Sequence, residues 1–224
     1  MVTQFFSILV TMPLSVLIFG HSFVSRFKKH LFTIHNIPPS TNTDSYNCSQ
    51  LLQVDRTTPT VHIKGIPGLK VLDAANPFGP LFSLVIENSP DIVILDLGTI
   101  DLDTTEPQHH GQQLVTHLQN LADALVNVYG VRRVVFLHII MRGTHNLPHS
   151  KSPVHTINIT AFSVNLALKQ FAKTSPVSFC HWSMKGLNKD EALDSDGLHL
   201  NDSGLYHYYY NIRKIITSSC KLLQ

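Results

Sequence analysis

Three side chains of this sequence are of the types that nucleophilic catalysis needs, namely Ser22, Asp196 and His199. A serine hydroxyl attacks a carbonyl carbon once a neighbouring imidazole takes its proton. Asp196 lies three residues before His199, close enough for the carboxylate to hydrogen-bond the ring and fix its tautomer. The chemistry that these types indicate is acyl transfer, with Ser22 as nucleophile, His199 as base and Asp196 as the group that orients the base.

Each of these residues also has a purely structural explanation. Serine is a common N-cap, and Ser22 follows Gly20 at the point where a predicted strand gives way to a helix. The segment around His199 could be a turn before a helix that Asn201 or Asp202 caps. A serine at one strand end together with a distant Asp-x-x-His pair favours catalysis more than either feature alone.

Composition limits the classes of protein that this chain can belong to. Its 224 residues are 43% hydrophobic and 14% charged, which is typical of a folded domain rather than a disordered chain. The net charge of +2 is too small to indicate a nucleic-acid partner or a membrane surface. We therefore expect one domain over residues 1–224, with residues 1–13 as a short N-terminal extension.

The cysteines and the N-terminal segment bear on metal binding and localisation. Three widely spaced cysteines show no spacing typical of zinc sites, so we expect neither a metal nor a disulfide framework. Reduced thiols favour a cytoplasmic protein. The first twenty residues are hydrophobic but lack a basic n-region and are too polar for a convincing membrane span. An uncleaved N-terminal anchor is the alternative.

Apolar runs alternate with segments of helical periodicity along the chain. The runs predict five strands, at residues 15–19, 60–63, 91–97, 133–140 and 177–182. Helical stripes lie between and after them, from Phe23, Phe27 and Leu31 to Leu205, Tyr209 and Ile212. This order predicts a three-layer α/β/α sandwich with a doubly wound, mostly parallel five-stranded sheet.

Four segments rich in glycine or polar residues should meet at one edge of this sheet. Ligands of open α/β sheets bind beyond the carboxyl ends of the strands. The segments are residues 20–22, 65–68, 98–101 and 196–199. At a strand-to-helix turn, Ser22 would also have free backbone N–H groups beside it, which favour a developing oxyanion.

The four segments resemble the sequence blocks of the SGNH hydrolases, also called GDSL-type esterases, in the family's order and over nearly the whole chain. Residues 19–22 (FGHS) are similar to the first block, with Ser22 as nucleophile, and residues 196–199 (DGLH) to the fifth, which supplies acid and base. Gly68 is similar to the second-block glycine, whose N–H helps to form the oxyanion hole. GHSFVSRF is also similar to a variant in invertebrate proteins and in esterase domains of some retroelement reading frames.

The resemblance implies a flavodoxin-like SGNH fold and a serine esterase that acts on carboxylic esters, acyl or acetyl, without a cofactor. The expected partner is a small-molecule or acyl-ester substrate. The competing α/β-hydrolase pattern G-x-S-x-G fails, because Val24 stands where its second glycine should be. Nucleic-acid association would follow only from the retroelement similarity, and the charge balance does not support it.

Two positions depart from the family pattern. His21 replaces the aspartate that usually precedes the nucleophile; that aspartate transfers no proton, so the change is compatible with activity. Ile100 occupies the place of the third-block asparagine, the family's third oxyanion donor, and isoleucine has no donor to offer. Losing one such donor typically costs ~10²–10³ in turnover. The alternative function is accordingly a catalytically impaired domain that acts as a binding module.

Several other residues are better explained by structure than by chemistry. Adjacent His109 and His110 cannot converge on one metal and are typical of a solvated helix start. We expect His138 to be a satisfied core histidine. Arg142 is expected at the surface, with a pocket-wall role as the alternative. Of the tyrosines at positions 206, 208, 209 and 210, we expect two to pack on the sheet.

Overall fold

Five parallel strands form the centre of the molecule in the computed structural model, which describes residues 13–38, 46–54, 59–143, 150–187 and 189–224. The spatial order is β2-β1-β3-β4-β5, and every neighbouring pair is parallel. The strands are β1 (Ser15–Gly20), β2 (Thr60–Gly65), β3 (Ile92–Asp96), β4 (Arg133–Leu137) and β5 (Phe179–Trp182). Their near-continuous apolar runs follow from burial on both faces of the sheet. The predicted strands are confirmed, with ends shifted by up to three residues.

Helices cover both faces of this sheet, and the longer ones begin and end close to the apolar stripes. They are α1 (Ser22–Ile34), α2 (Val71–Ala74), α3 (Pro80–Asn88), α4 (Pro107–Asn127), α5 (Val154–Phe171), α6 (Lys189–Ala192) and α7 (Asp202–Leu223). The sequence did not predict α2 or α6, because four residues are too few to show a helical period.

Two apolar clusters fill the spaces between the three layers. One packs α1 and α7 against one face of the sheet, through residues such as Phe27 and Ile212. The other packs α3, α4 and α5 against the opposite face, through residues such as Leu118 and Val164. The predicted α/β/α sandwich is therefore confirmed. The chain reverses its direction of winding between β1 and β3, and such a switch point opens a crevice at the carboxyl ends of the strands.

Glycine allows the segments at this edge to approach one another closely. A Cβ atom at Gly65 would lie 2.1 Å from the backbone nitrogen of Ser25 in α1. A Cβ atom at Gly20 would lie 2.4 Å from the carbonyl oxygen of Asp96. Both distances are far below van der Waals contact, so only glycine lets α1 start directly above the ends of β2 and β3.

Parts of two predicted segments lie outside the described residues. These are residues 1–12 of the expected N-terminal extension and residues 39–45, part of the polar, turn-rich stretch at residues 37–50 (IPPSTNTDSYNCSQ) that is expected to be a long surface loop. Among the residues that are described, no helix combines the length and the apolar character needed to cross a bilayer. The expectation of one domain over the whole chain stays a prediction.

Candidate active site

Asp196 and His199 form a hydrogen-bonded pair at the carboxyl edge of the sheet. The Nδ1 atom of His199 lies 2.6 Å from Asp196 Oδ2. Asp196 Oδ1 accepts two backbone N–H groups, from Leu198 at 2.9 Å and from His199 at 2.8 Å. Because Nδ1 keeps its proton and donates it in a hydrogen bond to the carboxylate, the other ring nitrogen, Nε2, has a lone pair and is free to act as a base.

The turn that carries this pair is closed by its own backbone. Asp194 N–H donates to the carbonyl of His199 at 2.6 Å, and Leu193 pairs with Leu200 in an isolated antiparallel bridge. Gly197 has a φ of 63°, a conformation that glycine adopts without steric cost. Its carbonyl accepts a 2.8 Å hydrogen bond from Gly143, in the segment that follows β4. The acid and the base thus sit in a short closed turn tied to the sheet.

These contacts keep Asp196 ionised. Hydrogen bonds from the His199 ring and from two backbone N–H groups, together with the charge of His199, overcome the opposing effect of partial burial. They lower the pKa of Asp196 to about 2. The carboxylate is therefore charged at neutral pH, as a group that orients and stabilises an imidazolium must be.

Ser22 is the first residue of α1, and the ring of His199 lies beside the same turn. The side chain of His21 caps the helix by accepting from the Phe23 N–H. The ring centroids of Phe23 and His199 are 6.2 Å apart, edge to face. Ser22 and His199 thus lie at the same edge of the sheet. Among the described residues, however, the Ser22 hydroxyl hydrogen-bonds to His21 Nδ1, at 3.4 Å, and not to His199.

Backbone donors at the same edge could hold an oxyanion. Gly68 is exposed, with a φ of 76°, and no backbone acceptor in the described part of the chain takes its N–H. The N–H of Ser22 is likewise an unpaired group at a helix start. Ile100, half-buried, brings no donor to this edge. Helix α2, which follows the second segment, is linked to the third segment by a 3.0 Å hydrogen bond from Val71 N–H to Asp101 Oδ1.

Arg142 is buried next to the third segment. The expectation that it lies at the surface is therefore wrong. The residue is only 3% exposed. Its guanidinium donates to the carbonyl of Thr99 and pairs with Asp103, both at 3.3 Å. Residue 142 follows the end of β4 by five positions, and the sequence alone did not show that the chain turns inward there.

One further expectation differs from the structure. His138 was expected to be a satisfied core residue, but it is only half-buried, and its Nδ1 atom has no hydrogen-bond partner among the described residues. Burial lowers its pKa, which favours the neutral ring. Within the described ranges, no group of three histidine, cysteine or acidic side chains could hold a metal ion.

Sequence reasoning missed Asp96 and the buried contact that it makes with Tyr208. Asp96 ends β3 and is 5% exposed, and the fully buried Tyr208 donates its hydroxyl proton to Asp96 Oδ2 at 2.7 Å. The expectation that two of the clustered tyrosines pack on the sheet is confirmed for Tyr208 and Tyr209. The available signal was an acidic residue inside the otherwise apolar run DIVILDL, because buried charges need partners.

Solved structures with the same fold include a lipase and several esterases. A GDSL-like lipase from Bacteroides thetaiotaomicron superposes with a TM-score of 0.64 at 15% identity, over 92% of this chain and 88% of that one. For a carbohydrate esterase of family 3 from Talaromyces cellulolyticus, the TM-score is 0.63 at 18% identity, over 93% and 98%. A catalytic mutant of an acetylxylan esterase from Geobacillus stearothermophilus has a TM-score of 0.58 at 14% identity, over 92% and 95%.

The fold and the comparisons together define the structural class of this protein. Neither a protein-family model nor a curated protein matches the sequence. The chain has the α/β/α sandwich of the SGNH, or GDSL-type, hydrolases, and the resemblance of its four sequence segments to that family is supported by this shared fold.

Proposed function

We propose that this protein is a serine ester hydrolase in which Ser22 is the nucleophile, His199 the general base and Asp196 the orienting acid. The observation that carries the proposal is the 2.6 Å contact between His199 Nδ1 and Asp196 on a turn whose imidazole lies beside the first turn of α1. This arrangement leaves Nε2 available to a hydroxyl at the helix start, where oriented backbone N–H groups favour a negative charge.

The reaction would proceed through an acyl-enzyme. Ser22 Oγ attacks the ester carbonyl while His199 Nε2 takes its proton, and the backbone N–H groups of Ser22 and Gly68 hold the oxyanion. The bond from the acyl carbon to the leaving oxygen then breaks, and His199 returns the proton to that oxygen. Water, activated by the same imidazole, releases the acid and restores the serine.

The neighbours in fold indicate which substrates to try first. They include a lipase and esterases that act on carbohydrates and acetylated xylan, so acetyl and longer acyl esters are both reasonable. Activity should be low, because Ile100 supplies no side-chain donor where the family has asparagine, and one missing donor costs ~10²–10³ in turnover.

A fluorophosphonate probe tests the nucleophile directly. The unmodified protein should be labelled, Ser22→Ala should not, and His199→Ala should be labelled far more slowly. Ser25→Ala, one turn further along α1, and His155→Ala, on an exposed position of α5, are matched controls that should retain labelling. Equal labelling of the protein with and without Ser22 would reject the assignment.

A second function, that of a binding module on a hydrolase fold, is favoured by two specific observations. One is Ile100, and the other is the hydrogen bond of the Ser22 hydroxyl to His21 instead of His199. Hydrogen bonds between nucleophile and base are often long before substrate binds, so the second observation is compatible with both functions. Against the binding module, a non-catalytic protein has no chemical need for Ser22, Asp196 and His199 together.

A further inference from the structure

We propose that His21 is a positioning residue for Ser22, held as one neutral tautomer by a buried chain of contacts that runs from Tyr208 through Asp96. The inference rests on the proposed function, because it concerns the nucleophile of that reaction. It deepens the function by assigning a task to the residue that departs from the family's first block. Its principal readout, the tautomer of one histidine, is independent of catalysis.

The chain of contacts is continuous from the core to the nucleophile. The Tyr208 hydroxyl donates to Asp96 Oδ2 at 2.7 Å, and Asp96 Oδ1 lies 3.3 Å from His21 Nε2. On the opposite side of the ring, His21 Nδ1 lies 3.4 Å from Ser22 Oγ. The contact between His21 Nε2 and Asp96 is too bent to count as a hydrogen bond, and among the described residues this nitrogen has no other partner. The two groups therefore interact through electrostatic attraction between the ring N–H and the carboxylate.

A backbone group decides which ring nitrogen of His21 carries the proton. The Phe23 N–H points at His21 Nδ1 at 3.5 Å, and a backbone N–H can only donate. His21 Nδ1 therefore bears a lone pair, and the ring proton sits on Nε2, where it faces the carboxylate of Asp96. The rotatable hydroxyl of Ser22 then has to donate its proton to Nδ1, since that nitrogen accepts.

Burial makes this arrangement costly to abandon. His21 and Tyr208 are fully buried, so a reversed proton arrangement would set the Nε2 lone pair against the Asp96 carboxylate and Nδ1–H against the Phe23 N–H, out of reach of water. Burial, the charge of Asp96 and the hydrogen bond to it raise the pKa of Tyr208 well above its usual value, which keeps its hydroxyl a donor. Gly20 lets the backbone of β3 approach closely enough for His21 N–H to bond the Asp96 carbonyl at 3.2 Å.

The expected result is one preferred side-chain conformation for Ser22 before substrate arrives. A serine at a helix start has several acceptors within reach, and holding it in one rotamer removes part of the entropy cost of attack. The Ser22 hydroxyl, which keeps its proton while it donates to His21 Nδ1, then has to turn toward His199 Nε2 before that base can take the proton. His21 thereby acts through Ser22 and does not touch the substrate.

Asp96→Asn reverses the tautomer while keeping the shape of the side chain. An amide NH₂ facing His21 Nε2 would force that nitrogen to accept, which moves the ring proton to Nδ1. Nδ1–H would then oppose the Phe23 N–H and could only donate to Ser22 Oγ. In a serine triad, an equivalent change from carboxylate to amide leaves the geometry intact but the tautomer wrong.

Long-range ¹H–¹⁵N NMR of the imidazole nitrogens tests the proposal at neutral pH. The His21 signals, assigned by their loss in His21→Asn or through the backbone resonances of His21, should show the Nε2–H tautomer in the unmodified protein. Ser22→Ala should show the same tautomer, because Phe23 N–H still faces Nδ1, and Asp96→Asn should show Nδ1–H. An Nδ1–H or doubly protonated ring in the unmodified protein would overturn the proposal, whether or not any ester is hydrolysed.

Fluorophosphonate labelling rates supply the functional arm. Tyr208→Phe removes only a hydroxyl and should slow labelling of Ser22 by about tenfold, the rate equivalent of one hydrogen bond. Tyr129→Phe is the matched control and should leave the rate unchanged, because the ring of Tyr129 stacks on Phe82 in the opposite layer of the sandwich. Asp96→Asn should slow labelling at least as much as Tyr208→Phe does.

The outcomes separate the two proposals. Failure to label Ser22 in the unmodified protein would count against the ester hydrolase, while the NMR result would still decide the tautomer. Unchanged labelling in Tyr208→Phe and in Asp96→Asn would show that the buried chain does not position Ser22. If Asp96→Asn fails to fold, the tautomer of the unmodified protein and the rate of Tyr208→Phe still decide the matter.

Discussion

The carboxylate of Asp196 accepts from both the side chain and the backbone of His199, at 2.6 Å and 2.8 Å. One oxygen orients the imidazole, and the other holds the peptide that carries it. Turning the ring away from the carboxylate would break the contact at Nδ1 and leave the backbone hydrogen bonds of the turn in place. This relationship makes Asp196 the most informative residue for testing the proposed chemistry.

Asp196→Asn should reduce turnover much more than substrate binding. The amide cannot hold the Nδ1–H tautomer, and the corresponding loss in a serine triad is about 10⁴-fold in kcat. Turnover of a p-nitrophenyl ester, with KM measured separately, checks the expectation. Asp194→Asn, in the same loop, is the control and should behave like the unmodified protein. Equal losses in the two variants would point to a general effect on the loop and count against the orienting role.

Asp196 should also make the free energy of unfolding depend on pH in the acid range. The pKa of Asp196 in the folded state is about 2, below the ordinary value of 3.8 for an aspartate, so its stabilising contribution is fully present above the higher value. That contribution is lost as the pH falls through the folded-state pKa. The difference in melting temperature between the unmodified protein and Asp196→Asn should thus shrink as the pH falls across this window. A difference that stays constant with pH would contradict the lowered pKa.

Ile100→Asn should increase ester hydrolysis by at least about tenfold, because it supplies the missing side-chain donor to the oxyanion. The gain should appear in kcat, since the donor is needed most when charge develops on the carbonyl oxygen. Ile100→Leu, which changes shape without adding a donor, is the control and should give no gain. A protein with no measurable rate before or after the asparagine is introduced would favour the binding module.

Asp101→Asn should stabilise the protein at neutral pH. Burial raises the pKa of Asp101, and its Oδ2 has no hydrogen-bond partner among the described residues. A raised pKa means that the folded state binds the proton more tightly than the unfolded state, so stability declines as the pH rises through this range. Asparagine keeps an acceptor for Val71 N–H and removes the buried charge.

Melting temperatures measured at neutral and at acid pH test this expectation. The advantage of Asp101→Asn should be greatest at neutral pH and should diminish in acid, where the aspartate of the unmodified protein is protonated. Asp73→Asn, on an exposed position of α2, is the control and should show no such trend. An asparagine variant that is less stable at neutral pH would contradict the expectation.

The sheet could be predicted from sequence because each strand is buried on both faces, which leaves continuous apolar runs such as VLIF and IVIL. The long helices were visible through their apolar stripes for a similar reason. The short helices α2 and α6 could not be predicted, because four residues are too few to show a helical period. The inward turn at Arg142 could not be predicted because it depends on contacts with a distant segment, such as that with Thr99.

The candidate site was only partly readable from sequence. Asp196 and His199 are close in the chain, so their pairing could be anticipated from spacing alone. The Asp96–Tyr208 contact joins residues 112 positions apart, and no local pattern indicates it. Similarly, the partner of the Ser22 hydroxyl depends on the orientation of one ring, which spacing does not determine.

Phe27 of α1 and Tyr208 of α7 pack with their ring centroids 4.9 Å apart on the same side of the sheet. The proposed nucleophile begins α1, and the proposed base stands three residues before α7 begins. The relative position of α1 and α7, and with it the separation of Ser22 and His199, therefore depends in part on how these two aromatic rings pack in the interior. Enlarging or trimming a ring at this junction should tune the reaction rate from a distance, which makes it a natural first target for directed evolution of the activity.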